Sequence, residues 1–518
     1  MAGLETESQT ERLTAYPALP TQATQAGDFK DFAEISNLHQ AYTELHPSYT
    51  DRLNEYTRAR GSLIETDAKG NARIVAESLA AEIVAKLIGG KFRYHAQAGV
   101  WHRFNLTHWA VVTEAETYPH ITAILTCGTE GLGFKQSYLN GVATIIKKAD
   151  MLPLPPAQAG KIPFSNGLFD IATRVLEPLT RDNALNWAIP HPFTEGADCY
   201  KFKKWLEMAL GDEPALIEFI RAFIAACLTG RADLQKFLML LGPGGTGKGT
   251  FLRLLTEILG PSNCTTTDLK NLEQNRFETA ALYGKRLAAI TDAGRYVGSI
   301  DTLKAVIGQD ELRREEKHRQ QGGTFRYEGM VLIASNEQLA ATDYTSGLER
   351  RLMVVKFTRR FSPEEKAGFI KHQGEAALQA EIPAIIQWAL GLSHEDVTRQ
   401  FMRPPKAVAD WSMESLTEQN PVVEWINEYL LPDPNAWTLI GERGEKRDHG
   451  VVTFADADSK LYPNYLHFCY QSKREALALT RFRNTVLDML ATLKIPAQTK
   501  RRSQGMGILG VKIRPKVL

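Results

Sequence analysis

The stretch from Lys236 to Leu255, KFLMLLGPGGTGKGTFLRLL, constrains this chain more than any other. A short apolar run, Phe237–Leu241, reads as a buried strand. It breaks at Gly242-Pro243-Gly244-Gly245, continues through Thr246, Gly247 and Lys248, and resumes as a helix-like run over Gly249–Leu259. Strand, glycine-rich loop, lysine and helix make a phosphate cradle. Glycines let backbone N–H groups approach phosphate without a Cβ clash, and the helix N-terminus adds partial positive charge to that of the lysine.

The pattern Gly-x4-Gly-Lys-Ser/Thr is met at Gly242, Gly247 and Lys248, but Gly249 stands where the hydroxyl belongs. Thr250 follows one residue later and is the nominated Mg²⁺ ligand. The plain alternative is a Gly/Pro hairpin with a surface lysine. The order of strand, loop and helix favours nucleotide binding.

Composition narrows the rest. A chain of 518 residues has room for about three domains. It is 43% hydrophobic and 23% charged, which allows a sizeable core. Its net charge of +1 means that any nucleic-acid site is a local patch. Cys127, Cys199, Cys227, Cys264 and Cys469 are scattered and form no CxxC pair, which argues for a reducing compartment and against a zinc ribbon. The most apolar run, around Leu216–Leu228, is cut by Glu218 and Arg221, so no membrane span is expected. With no signal-peptide pattern, the expected location is the cytoplasm.

Residues 1–28 are rich in Thr, Gln, Ala and Glu and are expected to be a disordered tail. Phe29–Asn54 is expected to be helical, and Ile74–Ile88 a stronger amphipathic helix stopped by Gly89-Gly90. Phe92–Phe104 reads as a hairpin turning near Ala98-Gly99. His95, His102 and His108 invite a metal site, but their spacing fits no common zinc motif and they read as surface histidines on strands. Leu152–Pro156 is a proline-rich connector, Ile162–Asp170 a strand and turn, and Trp205–Leu228 a helix.

Beyond the loop, Arg286–Ile290 reads as a second buried strand closing on Thr291-Asp292. An acid at such a tip can hold Mg²⁺ or polarise water, or simply cap the next helix. Gly329–Ser335 is a third strand closing on Asn336, which is either a polar sensor of the γ-phosphate or a turn residue. Between them, Leu312–Phe325 is a charged hairpin or loop containing Lys317-His318. Gly347–Phe357 places Arg350-Arg351 before another buried strand.

The C-terminal region begins near Pro404-Pro405. Val422–Leu431 and Leu461–Gln471 read as helices, a third runs to Leu493 with Thr480 as its cap, and Lys500–Ile513 reads as a glycine-turned hairpin. Helix, helix, hairpin is the pattern of a winged helix. From Gln471 onward the only acids are Glu475 and Asp488, against a run of bases that includes Arg481, Arg483, Arg501 and Arg502. That excess points to a duplex-DNA face, with Arg481 and Arg483 toward the groove and Arg501-Arg502 on the wing. A basic solvated tail or an oligomer contact is the alternative.

In order, the phosphate loop, TDA, TLKAVIGQDELRREEKH, VLIASN and ERRLMVVKF resemble superfamily 3 helicases, closest to the phage and plasmid primase–helicases related to the poxvirus replicative helicase. IPFSNGLFD and Ile189–Leu210 resemble the accessory domain that precedes that ATPase. The resemblance implies an α/β fold: an AAA+-like P-loop ATPase core over 201–400, an α+β accessory domain over 29–200 and a winged-helix-like domain over 401–518. It implies a homohexameric ring with ATP and Mg²⁺ between subunits and single-stranded DNA in the pore. Lys248 would contact the β- and γ-phosphates, Thr250 and Asp292 would serve Mg²⁺, and Asn336 would be the sensor. Arg350 or Arg351 would act as a finger on the neighbouring subunit's nucleotide. Lys317 and His318 would sit on the pore hairpin, supported by Lys304.

The chain departs from that family at two points. Ala293 follows Asp292 where many members have a second acid, so one carboxylate does both jobs, or hydrolysis is slow, or Glu311 or another acid substitutes. The hydroxyl at 249 is missing. The first 200 residues carry no recognisable primase module, so a separate primase is expected. The leading expectation is an ATP-dependent helicase acting in DNA replication of a phage, plasmid or integrated element. An ATP-switched initiator without motor activity is the alternative. A nucleotide kinase, suggested by Gly-Lys-Gly-Thr, ranks below both because the loop lies mid-chain.

Overall fold

The computed structural model describes residues 48–515 apart from 59–61, 157, 159, 292–297, 316–322, 340–347, 349, 372–373, 419–420, 449–450 and 475. The expected tail 1–28 lies outside the described residues. Of the helix expected over Phe29–Asn54, only the end is described, where Tyr49–Arg58 is helical.

The first packed unit joins helices Glu77–Ile88, Glu114–Gly128 and Gln136–Lys148 to an antiparallel sheet of Phe92–His95, Val100–Phe104 and Trp109–Val112. Tyr56, Val84, Phe92, Trp101, Ile124 and Ile146 share its core. The hairpin expected at Ala98-Gly99 is present, and Trp109–Val112 is a further strand that the sequence reading passed over. The histidines do not lie on the surface as expected. His102 is fully buried and His95 and His108 are half-buried, because strand alternation does not reveal which face another element will cover.

The helix expected over Trp205–Leu228 is two helices, Tyr200–Leu210 and Pro214–Thr229. Gly211 and Asp212 both take positive φ, at 79° and 56°, and Pro214 opens the second helix. An unbroken apolar periodicity conceals such a break.

Five parallel strands follow: β1 (Phe237–Leu241), β2 (Cys264–Asp268), β3 (Leu287–Thr291), β4 (Met330–Ser335) and β5 (Leu352–Lys356), in the order β2-β3-β4-β1-β5. Both faces are covered, which is why β1 is apolar at every position. Leu238, Leu240 and Leu332 face helix α1 (Lys248–Leu259) and helix Pro214–Thr229. Met239, Ile290 and Val354 face helix α2 (Asp301–Gly308). The helix after β1 thus lies on one side and the helix after β3 on the other. That arrangement opens a crevice at the carboxyl end of β1. The hairpin Lys161–Phe164/Gly167–Asp170 packs into the sheet's core.

The charged hairpin has an antiparallel stem, Leu312–Arg313 with Thr324–Phe325, and its tip lies outside the described residues. The C-terminal unit packs helices Pro421–Tyr429, Leu461–Gln471 and Leu479–Thr492 on a sheet of Leu430–Leu439, Gly505–Ile513 and Gln498–Arg502. Trp425, Tyr465 and Phe482 form its centre, and Trp425 Nε1 donates to Asn464 Oδ1 at 2.6 Å. Two expectations are corrected here. The helix over Val422–Leu431 stops at Tyr429, and the chain enters a strand at Leu430. The last helix is capped at Ala478, so Thr480 lies inside its first turn.

Candidate functional site

The loop between β1 and α1 bends sharply back on the sheet. Gly242 sits at φ 152°, and a Cβ there would come within 2.1 Å of the Phe357 carbonyl oxygen. Gly247 caps α1 at φ 100°, close under Trp205 and Phe361. Only glycine suits both positions. Thr246 is buried and its hydroxyl donates to the Pro243 carbonyl at 3.0 Å.

Lys248 is the centre of the site. Its Nζ donates to the carbonyls of Gly242 and Pro243 at 2.5 and 2.9 Å and to Asn336 Oδ1 at 3.0 Å. Burial lowers its pKa. Asn336 stands at the tip of β4, the neighbour of β1, so the parallel register delivers it to the lysine. Gly244, Gly245 and Gly249 are exposed on the loop. Positive-φ glycines, the exposed loop, a helix N-terminus and a lysine fit a polyphosphate.

Thr250 does not face Lys248. Its hydroxyl donates to Glu375 Oε1 at 3.1 Å, and Arg253 Nε donates to Glu375 Oε2 at 2.9 Å. Its bond to Arg253, before its bond to Thr250, keeps the Glu375 carboxyl below the usual range. Glu375 lies on the short helix Gly374–Gln379, far away in sequence, and no motif signals it. Asp292 lies outside the described residues, as do Lys317 and His318. Glu311, named as a possible substitute acid, lies away from the loop of its own chain. It accepts from Thr324 Oγ1 at 2.6 Å on the hairpin stem, and it shares a cavity with Arg286, which precedes β3 at the end of the sheet opposite the loop.

Arg350 and Arg351 also lie at that opposite end. Leu352 pairs with Phe237 and Lys356 with Leu241, so Arg351 is five residues, about 17 Å of strand, below the loop. Arg350 is exposed, whereas Arg351 lies against Gly308 beside Asp310. Lys304 on α2 is in the same neighbourhood. Burial lowers its pKa, Asp301 raises it, and the charges of Arg351 and Arg481 lower it further. The charge of the C-terminal Arg481 is thus felt at Lys304. Arg483 is half-buried. Arg501 and Arg502 are exposed on the outer strand, with Arg502 over the Trp437 ring at 4.9 Å. Among the described residues no cluster of His, Cys, Asp and Glu could hold a metal ion, and no helix is long and apolar enough to cross a membrane.

The site and its sheet define an α/β protein with a glycine-rich loop at the carboxyl end of a central parallel strand. A family model described as "D5 N terminal like" matches residues 81–211, and one described as "Family of unknown function (DUF5906)" matches 240–351. The first supports the relationship to phage-type primase–helicases that the motif order implies. The chain belongs to the family of the uncharacterized mitochondrial protein ymf20 of Marchantia polymorpha, with which it is 31% identical over 137 residues, 26% of this chain and 78% of that protein. A second Marchantia polymorpha protein, the uncharacterized mitochondrial protein ymf21, is 27% identical over 158 residues, 28% of this chain and 88% of that protein. Two apo structures of the NrS-1 C terminal region are similar at TM-scores of 0.41 and 0.42 and 12% identity, covering 83% and 84% of this chain and 98% and 99% of theirs. Likeness that remote carries no argument about this site.

Proposed function

We propose that this chain is an ATP-dependent DNA helicase of the superfamily 3, AAA+-type class, related to the poxvirus replicative helicase and acting in DNA replication of a phage, plasmid or mobile element. The observation that carries this is the bond between Lys248 and Asn336, which joins the phosphate loop to a polar residue on the adjacent strand tip. ATP with Mg²⁺ supplies the phosphoanhydride whose cleavage drives movement. Lys248 would exchange its loop carbonyls for phosphate oxygens, with Asn336 beside it as the polar sensor. Thr250 and Asp292 would hold the metal.

Arg350 and Arg351 are too far from their own loop to serve it, which supports action across a subunit boundary and hence a ring, most simply a homohexamer. Arg350 is the exposed member of the pair and the better finger. The hairpin bearing Lys317 and His318 would grip single-stranded DNA. The C-terminal unit, read as a winged helix, would hold duplex DNA through Arg501 and Arg502. ATP hydrolysis measured with and without single-stranded DNA tests the proposal. Turnover stimulated by the strand is expected, and tight ATP binding without turnover would overturn it.

That second outcome is the signature of an ATP-switched initiator. The engagement of Thr250 by Glu375, with no side chain at Gly249, favours slow hydrolysis and keeps this reading in view.

A further inference from the structure

A cavity of about 400 Å³ lies where the N-terminal unit meets the lower end of the sheet, far from the phosphate loop. His95, Trp187, Tyr283, Lys285, Arg286 and Arg326 line it. Its position is held firmly. The turn of the N-terminal hairpin docks on the stem of the charged hairpin: Thr324 N donates to the Gln97 carbonyl at 3.0 Å, and a Cβ on Gly323 would come within 2.1 Å of the same oxygen. His95 Nδ1 and the Tyr283 hydroxyl are 2.6 Å apart, which ties the two units across the cavity wall.

The charge in this cavity is unusual. Arg286 is only 6% exposed. Its guanidinium lies over the Trp187 ring at 4.2 Å, its Nη1 reaches the Glu328 carbonyl at 3.5 Å, and its Nε has no hydrogen-bond partner among the described residues. No carboxylate forms a salt bridge with it among the described residues. A buried guanidinium held by a ring face and one long hydrogen bond is costly to desolvate, and an anion would relieve that cost. Beside it, the Lys285 ammonium donates to the Ser262 carbonyl and has no carboxylate partner among the described residues. Arg326 is exposed at the rim. Of the two acids in the lining, Glu311 is engaged by Thr324 and by Gln97, and Glu328 is exposed at the rim, where its charge partly offsets that of Arg286 without forming an ion pair among the described residues. The volume is that of a small-molecule site, and aromatic side chains form part of its wall.

We propose that this cavity binds the phosphate of a nucleotide, either free or as one link of a single strand, through Arg286, Lys285 and Arg326. The site is separate from the ATP site and does not depend on hydrolysis. A nucleotide seated there would touch both the N-terminal unit and the residues that carry the hairpin stem.

The test is photocrosslinking of the full-length chain to two probes, 5-bromodeoxyuridine monophosphate and a 5-bromouracil-substituted oligodeoxythymidine, followed by peptide mapping. Adducts are expected on the peptides containing His95, Trp187 or Tyr283. Labelling by the monophosphate identifies a free nucleotide, and labelling by the oligonucleotide alone identifies a strand. Lys285→Ala and the rim variant Arg326→Ala should each lower the yield about ten-fold, the loss that goes with one charge-assisted contact. Both avoid the risk that Arg286→Met, a buried change, unfolds the protein. Lys248→Ala, which disables the phosphate loop, should leave these adducts in place. The proposal is overturned if neither probe labels these peptides, if both cation variants label as well as the parent, or if Lys248→Ala removes the label.

Discussion

Lys248 is held by three oxygens, and its side chain is already extended toward the place where phosphate would lie. Replacing it removes a preorganised cation, so Lys248→Ala should weaken ATP binding about 100-fold, as titration calorimetry would measure. Gly247→Ala tests the backbone instead. At φ 100° a Cβ would sit 3.0 Å from the Trp205 ring, and the strained residue should lower stability by about 1–2 kcal/mol in thermal melts. At this scale the sequence was legible where chemistry and spacing coincide. The loop, its lysine and Asn336 were found because the motif places them relative to strands. Glu375 was not, since a lone glutamate 125 residues beyond Thr250 leaves no local trace of the bond it makes.

At the level of elements, the N-terminal sheet and its helices have a built-in sensitivity to acid. Burial pushes His102 and His120 down to about 3 and His108 down to about 4. These groups stay neutral when folded, whereas in the unfolded chain they take up protons below about pH 6.5. The stability tied to their neutrality is therefore complete above that pH and is lost as the pH falls toward the folded values. Each costs roughly 2 kcal/mol by pH 5. His102→Phe should reduce the acid loss by about that amount, as followed by circular dichroism between pH 7 and 4. The elements read best from sequence were those with one strong period and clear ends, such as β1, α1 and helix Leu461–Gln471. β2 was missed because its sequence CTTTD is polar and its strand state comes from pairing with β3. The break at Gly211-Asp212 was missed because the apolar pattern runs through it.

For the whole molecule, the placement of Arg350 and Arg351 at the far end of the sheet sets the decisive test. Mixing a Lys248→Ala chain with an Arg350→Ala/Arg351→Ala chain should restore hydrolysis, since a mixed ring offers some interfaces with both parts intact. No recovery in the mixture, with no closed multimer in native mass spectrometry, would end the motor interpretation. At the C-terminal unit, Arg501→Ala/Arg502→Ala should reduce the salt-dependence slope of duplex binding by about 2, in filter-binding titrations across ionic strength.

The separation of arginine and phosphate loop within one chain also has a kinetic meaning. A solitary protomer would carry both halves of the machinery and be able to use neither. Turnover per molecule should then climb steeply with protein concentration and collapse on dilution, so that the reaction is of higher than first order in the enzyme itself.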